Sequence, residues 1–124
     1  MVDTEMSIRI LSTLNDNAYQ TISFVTKEGE KVTLTFRFIP SQEGWIFDVE
    51  SPSLTIYGLT LSSFVNLLDP YHNNITWGMY VWSQDGFDPW RIDDFSTGRI
   101  RVAITEDLEN AVIEEFLNGT GSIQ

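Results

Sequence analysis

The stretch KVTLTFRF, Lys31 to Phe38, constrains this chain more than any other. Val32, Leu34, Phe36 and Phe38 alternate strictly with Lys31, Thr33, Thr35 and Arg37, and a period of two puts the four apolar side chains on one face of an extended strand. A helix would scatter them around its circumference. The polar, turn-rich IPSQEG follows, and then WIFDV, in which Trp45, Phe47 and Val49 share a face. The two runs read as a hairpin whose apolar faces coincide. Upstream, YQTISFV sets Ile22 and Phe24 on one side, and KEGEK from Lys27 to Lys31 is a polar turn in which Gly29 is free to take positive φ. The expectation is a meander of three antiparallel strands, with SIRIL (Ile8 and Ile10 flanking Arg9) as a further edge strand.

Periodicity weakens in the middle of the chain. SPSLTIYGLTLSSFVNLLDPYHNN contains Pro52, Gly58 and Pro70; it reads as a short strand at Leu54 to Tyr57 and an irregular or briefly helical segment around Ser63 to Leu68. ITWGMYVW is apolar on both faces, the mark of a strand that is sandwiched or keeps one face for something else. RIRVAI returns to alternation, predicting Ile100, Val102 and Ile104 inward and Arg99, Arg101 and Ala103 outward. The last segment reads as a helix: Thr105 as cap, Glu106 and Asp107 in the first turn, a Leu108, Val112, Phe116 stripe, and Asn118-Gly119 as the stop. These patterns predict an all-β fold, a small antiparallel sandwich or open barrel of about six to seven strands with one short C-terminal helix. The expected divisions are a β core at 6–105, a helix at 106–118 and a tail at 119–124, within a single domain spanning 1–124. Periodicity does not separate barrel from sandwich.

Composition narrows the functions. A 124-residue chain that is 42% hydrophobic is the size of one domain with one core. Its 18 acidic and 7 basic side chains give a formal charge of -11, which repels phosphate backbones and anionic lipid. Sequence-specific nucleic-acid binding and membrane attachment are therefore not expected. The absence of cysteine removes disulfides and thiolate-held metals. MVDTEMSIRI has acids where a secretory signal is basic, and no run approaches the roughly 18 apolar residues of a membrane span, so the expectation is a soluble chain made in a cytoplasm.

His72 stands in DPYHNN without a strained nucleophile elbow, and the serines of LSS fall in no activating pattern. Asp93 and Asp94 are adjacent, but neighbours on an extended segment point to opposite sides, whereas glycoside hydrolysis needs two carboxyls facing one bond. DGFDPWRIDD lacks the ligand spacing and closing Glu of a calcium loop, and FSTGR lacks the glycines of a phosphate cradle. Neither a metal nor a cofactor is predicted. Trp77, Trp82 or Trp90 could form a stacking platform for sugar rings, and a carbohydrate-binding β module is the alternative reading. The stronger signal is arginine on the wet faces of strands, namely Arg9, Arg37, Arg99 and Arg101, joined by Arg91 beside Trp90. Tryptophan and arginine are enriched at interface hot spots. The competing explanation is structural, with Asp93 or Asp94 accepting charge-assisted bonds from Arg91, Arg99 or Arg101 to knit neighbouring strands.

GWIFDV from Gly44 to Val49 and PWRIDDFSTGRIRV from Pro89 to Val102 resemble, in order and spacing, the baseplate plug family of contractile-tailed phages, including cyanophage-type minimal baseplates. The likeness runs from about Ile8 to Glu106. It implies a non-enzymatic virion component, made in a host cytoplasm, that packs at the tip of the tail tube against hub or tube proteins and helps close the central channel. It implies oligomerisation only within that assembly. Trp90, Arg91, Asp93, Asp94, Phe95, Arg99 and Arg101 are the residues it places against partners.

Overall fold

The computed structural model describes residues 8–71 and 74–106. Seven strands follow in order: β1 (Ile8–Ile10), β2 (Tyr19–Val25), β3 (Lys31–Ile39), β4 (Gly44–Glu50), β5 (Thr55–Thr60), β6 (Trp77–Ser83) and β7 (Ile100–Glu106). They form two antiparallel sheets, β2-β3-β4-β5 and β1-β7-β6, packed as a sandwich. The alternation at Lys31 to Phe38 does what its period dictates. Val32, Leu34 and Phe36 are fully buried, and across the β3–β4 ladder Phe36 faces Phe47 with ring centroids 6.2 Å apart. From the opposing sheet Trp77, Met79, Val81, Ile100, Val102 and Ile104 complete one core, and Phe24 meets Trp77 edge-on at 5.3 Å. The expected meander is present and gains β5, which begins at Thr55 and runs to Thr60 rather than ending at Tyr57.

The outer face of the larger sheet is polar, with Thr21 against Thr35 (3.3 Å) and Ser23 against Thr33 (3.1 Å) as cross-strand hydroxyl pairs. Where β4 and β5 lose register between Phe47 and Val49, the Asp48 carboxylate accepts from the Gly58 N–H (2.8 Å) and from Arg37 (2.8 Å). Gly58 has φ +77°, so the irregular crossing of β5 is fixed by a side chain on its neighbour.

The segment around Ser63 to Leu68 takes the irregular of its two expected forms, while two other expectations need correction. It is made of turns and runs beside β6, with the Phe64 N–H donating to the Val81 carbonyl (2.8 Å) and the Leu67 N–H to that of Met79 (3.0 Å). It thereby covers an otherwise open strand edge. Ala103, expected outward, is buried on the middle strand of its sheet, between β1 and Tyr80 of β6, and Thr105 on the same face is buried next to Gly78 and Asn66 of the Ser63–Leu68 segment. Thr105 and Glu106, expected to open a helix, belong instead to β7; the remainder of that expected helix and the tail lie outside the described residues. Glu106 is held in the strand by two bonds, accepting from Arg9 (3.1 Å) and from the Lys27 N–H (2.8 Å).

The close passage of the Ser63–Leu68 segment depends on Gly78. A Cβ there would lie 3.0 Å from Thr105 Oγ1 and 3.1 Å from Asn66 Nδ2, and Asn66 is itself tied down, its Oδ1 accepting from the N–H groups of Leu68 and Met79. Replacing Gly78 by Val is expected to lower unfolding free energy by about 1–3 kcal/mol, in line with overpacking elsewhere, measured by urea denaturation. A variant as stable as the parent would show that the segment yields freely.

Candidate partner-binding site

The sixteen residues from β6 to β7, 84–99, form a long connection built around one carboxylate. Asp94 is 1% exposed. Its Oδ2 accepts from the N–H groups of Trp90 (2.7 Å) and Arg91 (2.8 Å) and from Arg99 Nη2 (2.9 Å), while Oδ1 accepts from Arg99 Nε (2.9 Å). A buried charge is tolerated only when its lone pairs are met, and here both oxygens are. Arg99 carries the network further: Nη1 donates to Asp85 Oδ1 (2.6 Å), and Nη2 donates to the Asp88 carbonyl (3.0 Å). Asp85 Oδ1 also accepts from the Phe87 N–H (3.1 Å) and from Ser83 Oγ (3.0 Å), closing a tight turn at Gly86, whose φ is +84°. One guanidinium thus joins the start, middle and end of the connection.

The connection is bolted to the core from its inner side. Phe95 packs against the Trp45 ring at 4.8 Å and the Phe36 ring at 6.3 Å, and Trp45 Nε1 donates to the Arg91 carbonyl (3.0 Å). Trp45, the tryptophan of GWIFDV, is 1% exposed and reaches from β4 to fix the backbone of the second motif. The two stretches are therefore one structural unit.

On the outer side the same connection exposes Phe87 (68%), Trp90 (45%) and Ile92 (41%). Arg91 lies over the Trp90 ring at 5.5 Å and is held there by Asp93, with Nε to Oδ1 at 2.9 Å. The residues singled out in the sequence thus divide into two groups. Trp90, Arg91 and Asp93 are at the surface; Asp94, Phe95 and Arg99 point inward and organise the segment. Arg101 sits apart on β7, over the Trp82 ring at 5.1 Å. Phe87 and Ile92 were missed, because an aromatic or aliphatic residue in a small domain is assigned to the core first. The turn residues around Phe87, Gly86 before it and Asp88-Pro89 after it, were the available signal.

The electrostatics follow the geometry. Burial works against ionisation of Asp94, but the Arg99 guanidinium and the N–H groups of Arg91 and Trp90 outweigh it and hold the carboxyl below its ordinary range. The Phe87 N–H, more than Ser83 or Arg99, lowers Asp85, and Arg91 lowers Asp93. Asp93 and Asp94 each have a different arginine partner, so they do not converge on a common point. Among the described residues no group of three or more His, Asp or Glu side chains is arranged to hold a metal ion. His72 lies outside the described residues. Of the three tryptophans considered for a sugar platform, Trp77 is buried, and Trp82 and Trp90 each have an arginine over the ring.

Fold and site together define a small β-sandwich that presents one braced, aromatic and arginine-bearing loop to its surroundings. The chain belongs to the family described as Cyanophage baseplate Pam3 plug gp18, whose profile matches residues 8–107. Membership makes it a phage structural protein of the baseplate plug type. No match is found among curated proteins.

Removing the carboxylate charge tests the site. Asp94 is held below its unfolded value of about 3.9, so its contribution is complete above that value and is lost as pH falls through the lower folded value. Stability is expected to decline with acid from about pH 5 downward, and Asp94→Asn to show a shallower decline over the same interval. Arg99→Ala, which strands a buried carboxylate, is expected to cost about 3 kcal/mol at neutral pH. Urea titrations across pH measure both; identical acid slopes for parent and Asp94→Asn would remove Asp94 from the account.

Proposed function

We propose that this chain is a non-enzymatic plug subunit of a contractile-tail baseplate, lodged at the tip of the tail tube against hub or tube proteins and helping to close the central channel. Family membership supports the baseplate, and one observation carries the rest: three large apolar side chains, Phe87, Trp90 and Ile92, stand exposed on a segment that a buried ion pair and Trp45 hold rigid. Exposed apolar groups in a fixed geometry lose little conformational entropy on docking, which is how hot-spot residues act. Trp90, Arg91 and Asp93 touch the neighbour directly together with Phe87 and Ile92, and Arg101 offers a second contact on β7. Asp94, Phe95 and Arg99 serve binding by positioning the others. The acidic excess keeps the free subunit soluble and repels DNA from its surface. The subunit acts in the virion after synthesis in the host cytoplasm, and it oligomerises only as part of the assembly.

The combined substitution Trp90→Ala and Ile92→Ala is expected to leave the thermal midpoint of the isolated chain unchanged within a degree or two, roughly the effect of surface changes under 0.5 kcal/mol. Incorporation into baseplates, read by quantitative blotting of purified particles from infected cells, is expected to fall severalfold. Normal incorporation of that variant would place the contact elsewhere.

A further inference from the structure

The short strand β1 leaves a gap in its sheet. It pairs with β7 only at Thr105, Ile104 and Ala103, and one more bond, from the Leu11 N–H to the Val102 carbonyl (2.8 Å), ends the ladder. The chain then turns away, the Ser12 N–H donating back to the Ile10 carbonyl (2.9 Å). Beyond that point no strand among the described residues pairs with the outer edge of β7 at Ile100 to Val102, where the Ile100 N–H donates to the Asp94 carbonyl of the preceding connection (3.2 Å). Because the Arg99 carbonyl accepts from Gln84 on the β6 side, alternation turns the Ile100 carbonyl and the Val102 N–H toward the gap.

A groove of about 640 Å³ opens there. Its walls are apolar, from Leu11, Leu14, Phe95, Ile100 and Val102, and its rim carries Arg9 and Arg101. In a chain of net charge -11, two cations at one groove are an exception to the general surface. Arg9 is committed to Glu106, but Arg101 meets no carboxylate among the described residues, only the Trp82 ring. Strand edge, apolar walls and unmatched positive charge together specify an occupant.

We infer that this groove receives an extended, acidic segment of a neighbouring protein, which lies against the free edge of β7, buries alternate apolar side chains on Leu11, Leu14 and Phe95, and sets a carboxylate on Arg101. Main-chain pairing supplies the geometry of such strand addition, and the flanking pockets and charge supply its selectivity. The inference rests on the baseplate reading above for the neighbour's existence, but the surface is distinct from the Phe87, Trp90, Ile92 loop. The two share only a foundation, since Phe95 and Gly98 belong to the connection that Asp94 and Arg99 brace.

The thiol-free sequence makes the test direct. Full chains carrying Ser12→Cys or, separately, Ile92→Cys are labelled with a short photo-crosslinker and assembled into baseplates. The Ser12 position is expected to crosslink to an acidic, extended stretch of another baseplate protein, identified by mass spectrometry of the crosslinked peptides. Adding Arg101→Glu is expected to reduce that product about tenfold and to leave the Ile92 product and the thermal midpoint unchanged. Arg101→Gln serves if the charge reversal impairs folding, with a smaller loss. Crosslinking from Ile92 with only intrachain products from Ser12, or a Ser12 product on a helical or basic segment, overturns the inference and leaves the baseplate reading standing. Unlabelled Ser12→Cys chain that enters no baseplate at all overturns both.

Discussion

An ionised carboxylate withdrawn from water must be surrounded by donors, and meeting that requirement at Asp94 determines how the most distinctive part of this protein is built. Three residues supply the donors: Arg99 through its guanidinium, and Trp90 and Arg91 through their backbone N–H groups. Each donor comes from the same connection, so satisfying the charge folds the connection on itself. The buried pair is weak evidence for overall stability, because desolvation offsets much of its attraction. What it supplies is a single arrangement of a sixteen-residue, strand-free segment that has little core of its own.

The sandwich beneath provides the anchor. Trp45 and Phe36, placed inward by the alternation of β3 and β4, form the surface on which Phe95 rests. The hydrogen bond from Trp45 to the Arg91 carbonyl then couples core packing to loop position. With its inner side occupied in this way, the segment has only one direction in which to project Phe87, Trp90 and Ile92. The large exposed side chains and the buried charge are thus two sides of one construction. The proposed docking role supplies a reason for it, because a surface that is already formed loses little entropy on binding.

Much of this was legible in the residues and some was not, for identifiable reasons. Strands with strict alternation, β3 and β4 above all, could be read because a two-residue period has one structural solution. Short β1 was read as an edge strand because Ile8 and Ile10 flank a charge, and it is one. The Ser63–Leu68 segment defeated periodicity because its role is to cover an edge of β6 and the outer side of Gly78 and Thr105, a tertiary task without local signature. Ala103 is buried where alternation pointed it outward, and Thr105, expected as a helix cap, is a buried residue of β7. At the site, pairing between the acids of IDD and the arginines nearby was foreseeable from type and proximity. Which acid went inside was not, since that depends on the curl of an irregular segment whose shape the pairing itself creates.

If the Asp94 carboxylate holds the segment in place, the amides it binds must be shielded from solvent in the free subunit. Hydrogen exchange of the Trp90 and Arg91 N–H groups in the isolated chain, followed by NMR at neutral pH, measures this directly. Protection comparable to that of the central strand amides of β3 is the predicted result. Exchange at the rate of an unstructured peptide would contradict the account, because the loop would then be ordered by its partners and not by its own buried charge.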